Sequence, residues 1–201
     1  LTDHAYNCAE STDLWSAMET ESGKPIQHIM ERWILTAGHP LVHARRDGER
    51  LELKQERFTY LPIADSPGQA WPIPVTIRFY SDNGNYRDET LLFDTPETSL
   101  SLDPDCFSYK INVGQTGFFR VWYHDRSNLA RLGEMAATGR LSGIDRWGLE
   151  SDMAAMARSC RIPLSDYLDF LSHYEKDDSP LAISGKMSQL FILLLALGGQ
   201  A

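Results

Sequence analysis

The sequence contains no His-Glu-x-x-His, no Gly-x-Ser-x-Gly and no phosphate-binding loop. The first absence removes the helical zinc site in which two histidines share a face with a glutamate base. The second removes the nucleophile turn of an α/β-hydrolase, and the third a nucleotide cradle. Cysteine is scarce: Cys8, Cys106 and Cys160 lie far apart and form no C-x-x-C pair. Three thiols cannot all pair, so a reducing compartment, the cytoplasm, is expected, with the cysteines as small buried hydrophobes. Positive charge is also in short supply. Against 28 Asp and Glu stand 19 Lys and Arg, a net charge of -9, so nucleic acid and anionic membrane are poor partners. No apolar run reaches bilayer length. Leu190 to Leu197 is strongly apolar but far too short to span, and reads as a buried helix.

What is present divides into three zones. A 42% hydrophobic fraction over 201 residues can bury one large or two small cores. Up to about residue 37 the period is helical. Ser11 or Thr12 suits a cap, with Asp13 in the first turn; Leu14, Trp15 and Met18 form the apolar face, and Gly23 is the stop. Pro25 then suits the first turn of a second helix, in which Ile26, Ile29, Met30 and Trp33 recur at helical spacing before Gly38. From Gly38 to Tyr123 the period becomes two. Asp47-Gly48 and Asn83-Gly84 read as hairpin turns, and Leu51, Leu53, Val75, Ile77, Phe79, Ile111, Val113, Phe119 and Val121 are the inward positions. Pro62, Pro67, Pro72 and Pro74 fit a loop or an edge strand, not a central one. After Asp125 helical spacing returns through Leu129, Leu132 and Ala136, then Leu149, Met153 and Met156. Pro163 opens a helix carrying Leu164, Tyr167, Leu168 and Leu171, and a last helix covers Leu181 to Leu197. The fold class is α+β in several parts: N-terminal helices, a central antiparallel β-sandwich and a C-terminal α-helical segment.

The residues capable of chemistry do not assemble into a site. His39 and His43 have the separation of two zinc ligands, but Pro40 lies between them, the segment reads as a strand, and no acid sits in the interval. His124, Asp125 and Ser127 are adjacent only in sequence and read as a strand end and helix cap. Gly114-Gln115-Thr116-Gly117 is a tight turn. Asp177-Asp178 lies in a polar loop, where solvation is expected. Trp15, Trp33, Trp71, Trp122 and Trp147 read as packing residues. No catalytic, cofactor-binding or metal-binding residue is assigned.

Several segments, in order, resemble the aminopeptidase N-like zinc metallopeptidase family of the tricorn-interacting-factor and puromycin-sensitive type. They are His4-Ala5-Tyr6-Asn7 with Ser11-Thr12-Asp13-Leu14-Trp15, Met30-Glu31-Arg32-Trp33 with Gly38-His39-Pro40-Leu41-Val42, and Gln55-Glu56-Arg57-Phe58. Trp71-Pro72-Ile73-Pro74-Val75 follows. Ile111 to Val121 is the most specific, and Ile144-Asp145-Arg146-Trp147-Gly148-Leu149 with Asp152 comes last. The departures, Tyr123-His124 and Asn7-Cys8-Ala9, touch no chemistry. The resemblance implies terminal helices of a thermolysin-like catalytic domain over 1–37, a β-sandwich domain over 38–124, and the start of an all-α C-terminal domain over 125–201. It implies a parent enzyme that removes N-terminal residues from peptides with zinc, whose ligands, base and substrate-gripping residues precede Leu1. The chain alone is therefore expected to be an inactive structural part, partnered by the remaining domains, with self-association through exposed apolar ends. The alternative is a stand-alone protein-interaction module built on the sandwich.

Overall fold

A computed structural model describes residues 8–61 and 70–198. Two helices come first, α1 (Ser11–Ser22) and α2 (Ile26–Leu35). The N-cap of α1 is Glu10, one residue before the expected Ser11; Glu10 and Asp13 exchange side-chain-to-backbone bonds as a capping box. Gly23 ends the helix in the left-handed conformation, as its sequence predicts. Of the expected apolar face only Trp15 is buried; Leu14 and Met18 face outward. Helix α2 stops at Leu35, short of Gly38, and docks through Trp33, whose indole N–H donates to the Pro72 carbonyl at 3.0 Å.

Seven strands follow: β1 (Pro40–Asp47), β2 (Arg50–Arg57), β3 (Ile73–Ser81), β4 (Tyr86–Phe93), β5 (Glu97–Ser101), β6 (Cys106–Ile111) and β7 (Arg120–Tyr123). They form two sheets, ordered β5-β2-β1-β7 and β4-β3-β6. The hairpins turn at Asp47-Gly48 and around Asn83-Gly84 as predicted. The pairing is antiparallel with one exception: β7 runs parallel to β1. The chain reaches β7 only after crossing from the other sheet, and so enters beside β1 in the same direction. The proline expectation also needs correction. Pro74 lies on β3, the central strand of the three, paired opposite Leu92. Pairing with β6 begins only at Ile77, so at Pro74 the strand is locally an edge and its missing N–H costs no bond. Pro62 and Pro67 fall outside the described residues.

Leu51, Leu53, Val75, Ile77, Phe79, Ile111, Phe119 and Val121 are all buried in the core between the sheets. Val113 is not; it lies in a single 3-10 turn after Asn112 adopts a left-handed conformation, which ends the alternation. Gln55, aligned with Leu51 and Leu53, is buried and ties the sheets. Its carbonyl accepts the Trp71 N–H at 2.8 Å, and its amide reaches the carbonyls of Trp71, Phe93 and Thr95 at 3.1, 3.3 and 2.8 Å.

Four helices complete the chain: α3 (Arg126–Ala137), α4 (Gly143–Arg158), α5 (Leu164–Leu171) and α6 (Pro180–Gly198). Leu132, Met135 and Ala136 of α3 and Leu149, Met153 and Met156 of α4 are buried. On α5 the buried pair is Tyr167 and Phe170, while Leu168 is exposed, so the face runs on to Tyr174 in the following 3-10 turn. Helix α6 packs along α4. It buries Ala182 and rests Leu193 on the core, but leaves Phe191, Leu194 and Leu195 at 60%, 67% and 61% exposure.

Candidate functional site

The densest polar construction is where the sandwich meets the helices. It begins with β6, a strand at the margin of its sheet. On alternation Tyr109 and Ile111 share one face while Ser108 and Lys110 share the other, and all four are buried. The outward backbone of β6 is satisfied by side chains. The Asn128 carboxamide of α3 accepts from Tyr109 N–H at 2.9 Å and donates to the Tyr109 carbonyl at 3.0 Å, imitating one more strand residue. The Tyr123 hydroxyl accepts the Ile111 N–H at 2.9 Å.

Beyond Ile111 the chain turns sharply. Asn112, Gly114 and Gln115 all have positive φ. The Asn112 side chain closes the turn by accepting the Gly117 N–H at 2.9 Å and donating to the Gly117 carbonyl at 3.0 Å. Helix α4 then seats on this turn. Gly148 makes the approach feasible, because a Cβ there would overlap the Gln115 carboxamide. Asp145 in the first turn of α4 accepts the Gly114 N–H at 2.8 Å and the Ser142 hydroxyl at 2.6 Å. About two turns further on, Asp152 accepts the Val121 N–H at 3.1 Å and the Arg120 guanidinium at 3.2 Å. Lys110 is fully enclosed, 3.8 Å from Asp145, and donates to the Ile111 carbonyl at 2.7 Å.

Burying such charges is costly, and the cost appears as displaced ionisation. Burial pushes the Asp152 carboxyl up to about 6, against the opposing pull of Arg120 and Lys110. Burial pushes the Lys110 ammonium down, against Asp145 and Asp152. A second buried acid, Glu150, is also pushed up by burial; the Tyr167 hydroxyl donates to it at 2.6 Å. These groups hold one another. The Gly114 N–H that a phosphate could have taken is already given to Asp145.

The residues singled out in the sequence are dispersed. His39 packs between Phe58 and Phe118. His43 instead meets His124, Nδ1 to Nε2 at 2.9 Å, and Glu56 at 3.4 Å. Asp125 occupies the N-cap of α3, but its carboxylate turns away to accept the Arg46 N–H at 2.6 Å and the Tyr109 hydroxyl. Of Asp177-Asp178, Asp178 is solvated, its side chain 88% exposed, whereas Asp177 is only 2% exposed; Arg146 reaches them at 3.0 and 3.5 Å. Cys106 is buried, whereas Cys8 and Cys160 are exposed, contrary to the expectation for all three. Among the described residues no group of three or more His, Cys, Asp or Glu is placed to hold a metal. Also among them, no helix is long and apolar enough to cross a membrane. Lys110, Glu150 and Asn128 gave no sequence signal; a lysine in an alternating strand reads as its solvent side.

Residues 108–197, from within β6 to the end of α6, match the family model described as the ERAP1-like C-terminal domain. The chain is 35% identical to the tricorn protease-interacting factor F2 of Thermoplasma volcanium over 199 residues, which is 97% of this chain and 23% of that protein. It is 31% identical to a probable aminopeptidase 2 of Sulfurisphaera tokodaii, over 96% of this chain and 23% of that protein. With the aminopeptidase M1 of Arabidopsis thaliana it shares 34% identity, over 88% of this chain and 21% of that protein. The chain thus spans under a quarter of the length of these relatives.

Proposed function

We propose that this chain, related along nearly its whole length to one stretch of aminopeptidases, is their non-catalytic connecting portion. On this reading 1–37 are the last helices of a catalytic domain, 38–124 a sandwich domain and 125–201 the opening of a helical domain. Its work is mechanical: it sets the helical part at a defined angle to the sandwich. The observation that carries the reading is the buried joint. Two carboxylates of α4 each take a backbone N–H from the β6–β7 passage, which fixes the helix in direction as well as position. Hydrolysis of N-terminal residues from peptides, the zinc it uses and a cytoplasmic location belong, in this proposal, to the complete aminopeptidase. The remaining domains of that enzyme are the chain's natural partners. No catalytic step is assigned to any residue here.

The test is direct. The purified chain is assayed for metal content and for cleavage of aminoacyl anilides with zinc supplied. The expected result is no stoichiometric zinc and no turnover. Zinc-dependent turnover that an aminopeptidase inhibitor abolishes defeats the proposal. The exposed apolar stripe on α6 also suits the second reading, a stand-alone interaction module. An upstream reading frame carrying His-Glu-x-x-His separates the two.

A further inference from the structure

Outside the joint, one cluster of titratable groups is built with unusual closeness. His43 on β1 and His124, just past β7, lie with their rings nearly parallel, 8° apart, and their nitrogens 2.9 Å from each other. Trp122 lies against both, its ring centre 5.2 Å from His43 and 4.4 Å from His124. His124 has a further property: it lines two separate clefts. One, of about 520 Å³, runs over the outer face of the four-stranded sheet past His43, Arg45, Lys54 and Glu97. The other, of about 420 Å³, lies between β7, α3 and α5, against Trp122, Leu129, Ile162 and Phe170. The His124 ring is therefore part of the wall between them.

We propose that the His43–His124 pair is a proton-operated partition: one proton is held within the pair, and a second turns His124 outward, uncovering Trp122 and joining the two clefts. The first proton is accommodated because an imidazolium at His43 donates from Nδ1 to His124 and has the Glu56 carboxylate 3.4 Å from its Nε2 to offset the charge. Glu56 also faces Arg161, at 3.4 Å, and this limits how much positive charge it can neutralise. Also around the pair are Lys54 and Glu52 on β2, Glu97 on β5, Arg45 on β1 and Asp125 beside His124, with Arg126 of α3, Asp166 and Asp169 of α5 and His173 lining the second cleft. A second proton places two cations within hydrogen-bond distance. His43 is enclosed, with a side chain 17% exposed, whereas His124 is at the surface and is the one free to leave. The electrostatics agree in sign. Burial holds both histidines below the ordinary value, and the His43 charge lowers His124 further. A group with a lower pKa packed than free favours the free state as pH falls.

The full 201-residue chain, labelled with 5-fluorotryptophan, is followed by fluorine NMR from about pH 8 to about pH 5, with Trp122 assigned by W122F. The expected result is a Trp122 resonance whose solvent isotope shift between water and D2O grows as the pH falls. In His43→Gln the repelling charge is gone: with burial left to lower it, His124 titrates higher than in the unaltered chain, and the Trp122 isotope shift grows less. His124→Gln, at a surface position, cannot charge and its isotope shift is flat; it keeps the test open if His43→Gln does not fold. A Trp122 signal indifferent to pH in the unaltered chain, or the same growth in either variant, overturns the proposal.

Discussion

At the scale of single residues, Asp152 is the side chain whose ionisation the fold opposes most clearly. Its carboxyl is pushed up to about 6 from an ordinary 3.8, chiefly by burial. The folded state therefore binds this proton more tightly than the unfolded chain does. The penalty for carrying the charge is complete above about pH 6 and is relieved as pH falls from there toward 3.8, the reverse of a carboxylate whose pKa is lowered by folding. Asp152→Asn keeps an acceptor for the Val121 N–H and cannot ionise. Denaturant titrations of both proteins at several pH values measure the difference. Relative to the variant, the unaltered chain should gain up to about 3 kcal/mol between neutral pH and the lower end of that window. A gap independent of pH contradicts the assignment. Lys110 sits in the same enclosure with its ammonium pushed the other way. Charge there is tolerated only because each group faces an opposite one, so removing either alone leaves the other stranded.

At the scale of elements, β6 is the strand on which both halves of the chain depend. It pairs with β3 on one side, and on the other it meets α3 through Asn128 in place of a strand. A free edge there would be a template for pairing with another molecule. Asn128→Ala leaves a buried N–H and a buried carbonyl at Tyr109 without partners, and also deprives the Ser108 hydroxyl of its acceptor. The expected cost is about 2–4 kcal/mol in denaturant unfolding, with faster amide exchange at Tyr109 than at Ile111, whose N–H is held by Tyr123 instead. Equal exchange at both positions contradicts the edge-cap reading. The matched family model opens at Ser108, within β6, and takes in the left-handed corner and the carboxylates of α4 that fit it.

At the scale of the whole molecule, the apolar surface is unevenly distributed. The facing sheets bury Leu51, Ile77, Phe79 and Val121, whereas α6 carries a stripe through Met187, Phe191, Leu194 and Leu195 that faces outward. Burying one such side chain fully gains roughly 1.5–3 kcal/mol, so several together favour association. The chain is expected to show concentration-dependent dimerisation in sedimentation equilibrium, abolished by Phe191→Glu with Leu195→Glu without loss of helix content. A unaltered chain that stays monomeric at high concentration contradicts this. Limited proteolysis is expected to attack the polar loop before α6 ahead of the sandwich: Asp178 there is 88% exposed, although Arg146 reaches Asp177 and Asp178 and Lys186 donates to the Tyr174 carbonyl at 2.9 Å.

Where helix gives way to strand and back again is legible in the residues alone, because the period of apolar residues changes from 3.6 to two and returns. So are the hairpins at Asp47-Gly48 and Asn83-Gly84, since those residues accept the turn backbone at little cost. Eight of the nine proposed inward positions of the sandwich were legible for the same local reason. Only the tertiary structure decided the parallel placing of β7 beside β1, which depends on a crossing between sheets that no local period records. Only it decided that Lys110 is interior, because alternation assigns a residue to a face and cannot say that helices cover that face as well. The pairing of His43 with His124 was equally out of reach. The two lie 81 positions apart, and their meeting is set by strand register, a property of two segments at once.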